Sequence, residues 1–121
     1  KTYEAKKNKK KFIEVWGNGK AKRELMYVDD LADACEFFLK IKTKHSLINI
    51  GSGEEKTIKS YLQFVMKKLK IKLQIKYDKS KPNGTPRKKL NINLAKKYGW
   101  KSKISLDKGF EMTFNNFLKT K

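Results

Sequence analysis

The chain has 121 residues, one domain's worth of sequence, with a formal net charge of +19. Its hydrophobic content of 38% is periodic enough to exclude wholesale disorder, and no apolar run approaches the roughly 18 residues that cross a bilayer. A single cysteine, Cys35, excludes an intramolecular disulfide and a paired-cysteine metal site, and it fits a reducing, cytoplasmic compartment.

Lys1 to Lys11 is strongly basic and reads as the frayed end of a helix that started upstream. The opening Lys1-Thr2-Tyr3 is neither a signal peptide nor an initiator methionine, so the chain is expected to begin downstream of its gene's start. Phe12-Ile13-Glu14-Val15-Trp16 is strand-like and is stopped by Gly17-Asn18-Gly19. Glu24 to Val28 is a second extended run. Asp29 or Asp30 then caps a helix over about Asp30 to Ile41, with Leu31, Ala34, Cys35, Phe38 and Leu39 on one apolar face.

Ser46 to Gly51 reads as a buried strand, followed by a tight turn at Gly51-Ser52-Gly53. Thr57 caps a helix over about Ile58 to Lys70, whose residues Ile58, Tyr61, Leu62, Val65, Met66 and Leu69 follow helical spacing. Leu73 to Tyr77 alternates like a half-exposed strand, and Ser80 to Lys88 is a Pro/Gly loop. Asn93 to Tyr98 is a short helix closed by Gly99. Leu106 to Lys119 is the last helix, started by Ser105 or Asp107, with Leu106, Phe110, Thr113, Phe114, Phe117 and Leu118 turned inward. The elements are those of a small mixed α/β domain.

The basic excess suggests nucleic acid as a partner, but only two of the 31 basic residues are arginine, Arg23 and Arg87. Nucleic-acid readers favour the planar arginine fork, whereas a lysine excess accompanied by many Ile and Asn residues fits compositional drift and a solvated surface. The two Gly-x-Gly triplets lack the third glycine of a dinucleotide fingerprint, since Lys22 and Lys56 stand at those places. No catalytic set and no metal site can be assembled: His45 reads as a solvated loop residue, Cys35 as a small core residue, and Asp29-Asp30 as helix capping and dipole compensation. Trp16, Arg23, Lys81, Arg87 and Lys88 are of a different kind. An aromatic face, an arginine fork and flexible ammonium groups beside exposed turns suit a nucleotide diphosphate; the residues by themselves equally admit Trp16 as a core side chain and the Pro/Gly stretch as a plain loop.

Val15-Trp16-Gly17-Asn18-Gly19, with Arg23-Glu24-Leu25-Met26-Tyr27-Val28-Asp29-Asp30-Leu31-Ala32-Asp33-Ala34, resembles the WGxG…REFLYVDDLADA segment of the GDP-L-fucose synthases. Asn49 to Glu55 resembles their NIGtGeD turn. Ser80 to Asn91 is similar to their SKPDGTPRKLLD, and Gly99-Trp100-Lys101 with Ile104-Ser105-Leu106 resembles the stretch that follows. VDDLA and NIGxG are shared with many extended short-chain dehydrogenases/reductases. KPxGTPRK is particular to the synthases.

The resemblance implies that residues 1–121 are the substrate-binding domain of an extended short-chain dehydrogenase/reductase, with the Rossmann domain absent. The implied parent is a cytoplasmic, homodimeric, NADP-dependent 3,5-epimerase/4-reductase acting on GDP-4-keto-6-deoxy-mannose. Its catalytic residues and most of its cofactor site are expected upstream, and this segment alone is expected to be inactive. Trp16, Arg23, Asn83 and Lys88 match positions that bind the GDP-sugar. Asn83 stands where the family has Asp, which removes a charge and keeps an acceptor oxygen. The rival readings are another nucleotide-sugar epimerase or dehydratase, a stand-alone basic nucleic-acid-binding module, and an interaction domain without a ligand.

Overall fold

The structure is a computed structural model that describes residues 1–120. Among the described residues nine elements follow one another: α1 (Thr2–Lys7), β1 (Phe12–Trp16), β2 (Lys22–Glu24), α2 (Val28–Lys40), β3 (Glu55–Thr57), α3 (Ile58–Lys68), β4 (Gln74–Asp78), α4 (Asn93–Lys97) and α5 (Leu106–Lys119). The chain is mixed α/β, as its sequence implies. It divides into two compact units, residues 1–23 with 55–88, and residues 24–54 with 89–120.

In the first unit, β1 and β4 pair in parallel, with Ile13 opposite Ile75 and Trp16 opposite Asp78. A parallel pair requires a crossover, and α3 lies within that connection. Strand alternation turns Ile13 and Val15 of β1 inward and leaves Phe12, Glu14 and Trp16 on the open face. Ile13 packs with Ala5 and Leu73, covered by Leu62, Met66, Ile71 and Ile75, so the apolar stripe of α3 covers the closed face of the pair. Burial of the Ile13 and Leu73 side chains contributes about 1.5–3 kcal/mol each. Thr57 caps α3 by accepting the Ser60 N–H at 3.0 Å. The helix stops at Lys68, two residues before the expected Lys70, where the backbone turns left-handed at φ 51°.

The second unit is built on small residues. Ala34 of α2 and Ala95 of α4 are almost wholly buried and leave room for the Trp100 indole, itself 2% exposed. Phe37 and Phe38 meet edge to face at 5.1 Å, and Phe38 meets Tyr98 in the same manner at 6.2 Å. Gly99, at φ +94°, closes α4 as expected, and Ser105 caps α5 by accepting the Lys108 N–H at 3.3 Å.

Several expectations are overturned. The extended run at Glu24–Val28 is divided between the end of β2 and the start of α2, which begins at Val28 with Tyr27 as its cap. Asp29 and Asp30 therefore lie inside the first turn, and no side chain caps it. The expected strand at Ser46–Gly51 does not form: the segment belongs to neither described strand pair, though Ile48 and Ile50 still pack into the core. Cys35 is exposed, because α2 turns Asp30, Ala34, Phe37 and Phe38 inward. Leu31, Cys35 and Leu39 form a separate outward stripe, with Leu39 87% exposed. Thr113, Phe117 and Leu118 of α5 are exposed rather than inward.

Candidate functional site

The four candidate binding residues all fall in the first unit. Trp16 ends β1, and its register partner Asp78 ends β4. The two following loops, 17–21 and 79–88, therefore leave from the carboxyl ends of parallel strands, the edge at which open α/β sheets take their ligands. Gly17 donates its N–H to the Asp78 carbonyl at 2.8 Å, and the Asp78 side chain accepts from the Ser80 N–H and hydroxyl at 3.0 and 2.6 Å. Both loops thus begin from one fixed point.

The Trp16 side chain is on the open face and the residue is 60% exposed. Lys1 Nζ lies 5.3 Å from the ring centroid and Lys81 Nζ lies 5.8 Å from it, both within cation–π range. Asn83 Oδ1 accepts the Asn18 N–H at 2.8 Å. Arg23 Nη1 donates to the carbonyls of Lys22 and Thr85 at 2.6 and 2.8 Å, and Gly84 closes over the guanidinium. Lys88 is exposed at the end of the same loop. Trp16, Arg23 and Asn83 are thus drawn together by the two loops, and Lys88 flanks them.

Arg87 is engaged elsewhere. Its Nε and Nη2 grip the Glu55 carboxylate at 2.9 and 2.7 Å, and Lys22 Nζ joins at 3.8 Å. The hydrogen bond from Glu55, reinforced by its charge, pushes the Arg87 guanidinium above its ordinary range. The loop arginine is therefore a brace, and sequence reasoning missed its partner because Glu55 lies 32 residues away. The start of α3 is likewise engaged: Ile58 and Lys59 donate to the carbonyls of Ala21 and Gly19 at 3.0 Å each.

The glycine triplets serve packing. Gly17, at φ +71°, faces Asn83 so closely that a Cβ would stand 2.9 Å from the Asn83 Cα. Gly51-Ser52-Gly53 wraps the Glu24 carboxylate, which accepts the Gly53 N–H at 2.6 Å and the Leu90 N–H at 3.0 Å. Neither triplet opens a helix as a dinucleotide-binding turn must. The described residues contain no group of three metal-ligating side chains and no helix long and apolar enough to cross a membrane.

The acidic pair of α2 has a role its sequence did not disclose. Asp30 is 2% exposed, and its carboxylate accepts from the Ser102 hydroxyl at 2.5 Å and from the Lys103 and Ile104 N–H groups at 3.1 and 3.0 Å. Burial pushes this carboxyl up, but the three hydrogen bonds outweigh it and hold it below its ordinary range. One turn on, Asp33 accepts from Lys103 Nζ at 2.8 Å and from the Trp100 indole at 2.9 Å, which lowers it too. The i, i+3 spacing of the two acids was the available signal. His45 is exposed, as expected of a loop residue, yet its Nδ1 lies 2.9 Å from the Tyr98 hydroxyl.

Hollows among the described residues include two that bear on the search for a site. One of about 840 Å³ beside Phe12 mixes Lys1, Lys10, Lys11 and Lys76 with Glu4 and Glu14. The other, about 410 Å³ between Met26–Val28 and α5 in the second unit, is apolar and contains no carboxylate, amine or imidazole. The first shares Lys1 with the Trp16 ring, and neither is lined by Trp16, Arg23, Asn83 or Lys88.

A profile of the NAD dependent epimerase/dehydratase family matches residues 2–51. A putative GDP-L-fucose synthase 2 of Arabidopsis thaliana is 40% identical over 116 residues, covering 96% of this chain and 35% of the relative. The chain is similar to the GDP-L-fucose synthases along nearly its whole length. It spans about a third of the curated relatives it matches. Among solved structures, a GDP-6-OMe-4-keto-L-xylo-heptose reductase from C. jejuni superposes with a TM-score of 0.79 at 30% identity, covering 98% of this chain and 39% of that one. A GDP-mannoheptose C4 reductase from Campylobacter jejuni, solved with NADP bound, superposes with a TM-score of 0.73 at 29% identity, covering 88% of this chain and 34% of the reductase.

Proposed function

We propose that this chain is the substrate-binding part of an NADP-dependent GDP-4-keto-6-deoxy-mannose 3,5-epimerase/4-reductase, with the GDP-sugar held by Trp16, Arg23 and Lys88 and with Asn83 shaping the same site through the Asn18 N–H. The observation that carries the reading is the exposed Trp16 ring with two ammonium groups close to it, at the carboxyl end of a parallel strand pair. A base stacks on such a ring, and the neighbouring cations match the charge of a diphosphate. Arg23 Nη1 is committed to two carbonyls, so Nη2 and Nε are its edge for a phosphate. Lys88 adds a mobile point charge.

These residues bind and orient, and orientation is the contribution such a unit makes to catalysis. The reduction would draw its hydride from the reduced cofactor, NADPH, and the proposed holder of that cofactor is a part of the protein outside these 121 residues. This assignment agrees with the third of their length that the relatives share with this chain. The chain by itself then has no turnover. The parent is proposed to be a cytoplasmic homodimer.

The test is a titration of the chain with GDP, UDP and duplex DNA, followed by tryptophan emission. Saturable binding that favours GDP, is abolished by Trp16→Ala and is weakened about tenfold by Arg23→Lys supports the reading. UDP binding as tight as GDP binding points to another nucleotide-sugar enzyme. DNA binding that falls steeply with salt, without nucleotide binding, overturns the reading in favour of a nucleic-acid module.

A further inference from the structure

Asn83 stands on the loop after β4, yet its side chain closes onto the turn after β1. The contact is made by Oδ1, because the facing group, the Asn18 N–H at 2.8 Å, is a donor. The NH₂ end of the amide therefore points away from the turn. The approach is tight at the level of the backbone: a Cβ on Gly17 would stand 2.5 Å from Oδ1 and 2.9 Å from the Asn83 Cα.

The same two loops are fastened further along by Lys22 N–H to Pro86 O and by Arg23 Nη1 to Thr85 O, both at 2.8 Å. Of these three fastenings, that of Asn83 stands nearest Trp16 along the chain. Its partner Asn18 is two residues past Trp16, and Lys81, whose ammonium lies over that ring, is two residues before Asn83. Asn18 is itself held in a local turn, its Oδ1 accepting the Lys20 N–H at 2.9 Å.

We infer that Asn83 is a positioning residue: by holding the Asn18 N–H it fixes the 17–19 turn against the 79–88 loop, and so sets the Trp16 ring and the Lys81 ammonium where a nucleotide meets them. The inference rests on the reading of Trp16 as the stacking platform. The oxygen that the sequence reserves for a ligand hydroxyl is engaged within the protein. The latch needs an acceptor at position 83 and nothing more, so a carboxylate serves it as well as an amide.

The experiment compares the parent chain with Asn83→Ala and Asn83→Asp by amide hydrogen exchange at Asn18 and by GDP affinity. In Asn83→Ala, exchange at Asn18 should accelerate about tenfold and the Kd for GDP should rise about tenfold, the value of one lost hydrogen bond to an acceptor. Asn83→Asp should restore both to within about twofold of the parent. Unchanged exchange in Asn83→Ala overturns the latch. Restored exchange without restored affinity in Asn83→Asp also overturns the inference, since the NH₂ end then touches the nucleotide itself. A parent chain that binds no GDP overturns the ligand reading, and the exchange rates, measured without ligand, still decide the latch.

Discussion

Replacing Asp30 by alanine removes the acceptor of three donors at once. The Ser102 hydroxyl can turn to solvent, but the Lys103 and Ile104 N–H groups lie in a half-buried turn and lose their partner. Hydrogen bonds to a charged group are worth about 1.5–3 kcal/mol each, and water entering the vacated space recovers part of that, so the net cost should be about 3 kcal/mol. Set against a domain stability of about 5–15 kcal/mol, this is a large fraction. Urea unfolding followed by the emission of Trp100, buried in the same unit, should show a midpoint lower by about 1–3 M.

Asp30→Asn, which keeps the shape and one acceptor, should lose only about 1 kcal/mol. The pH dependence has a defined sign. The folded carboxyl titrates below its unfolded value of about 3.9, so its stabilisation is complete above that pH and is lost as pH falls through the lower folded value. The alanine variant should lack this acid-side loss. A loss below about 1 kcal/mol for Asp30→Ala, with an unchanged acid profile, would show that the carboxylate does not hold the 102–104 segment.

Gly17→Ala should be poorly tolerated, because the position has φ +71° and the new Cβ meets Asn83; a cost of about 1–2 kcal/mol and loss of GDP-dependent quenching of Trp16 are expected, read by urea unfolding and fluorescence titration. Cys35 is exposed on α2, so one equivalent of a maleimide should label the native chain as fast as the urea-unfolded one; labelling only in urea would show that the α2 face is covered.

Much of the fold was legible because local rules and tertiary contacts agreed. β1 has the expected bounds because Phe12-Ile13-Glu14-Val15-Trp16 alternates and ends in glycine. α5 does too, because Ser105 is a good cap and apolar residues recur at helical spacing. Alternation also fixed the side of β1 on which Trp16 stands: with Ile13 and Val15 inside, Trp16 is outside. Ser46–Gly51 shows the limit of that logic. Its alternation is real, but a strand also needs a neighbour, and no local pattern encodes one.

The sequence by itself singled out the candidates for a nucleotide site, through the rarity of arginine and the turn chemistry around Trp16 and Pro82–Pro86. Only the tertiary structure decided how they are used. Arg87 turns to Glu55 and Asn83 to the Asn18 N–H, while Asp30 binds a segment 72 to 74 residues away. The physical reason is common to all three. A charged or polar side chain takes the partner that lies within hydrogen-bond reach once the chain has folded, and sequence separation places no limit on which partner that is.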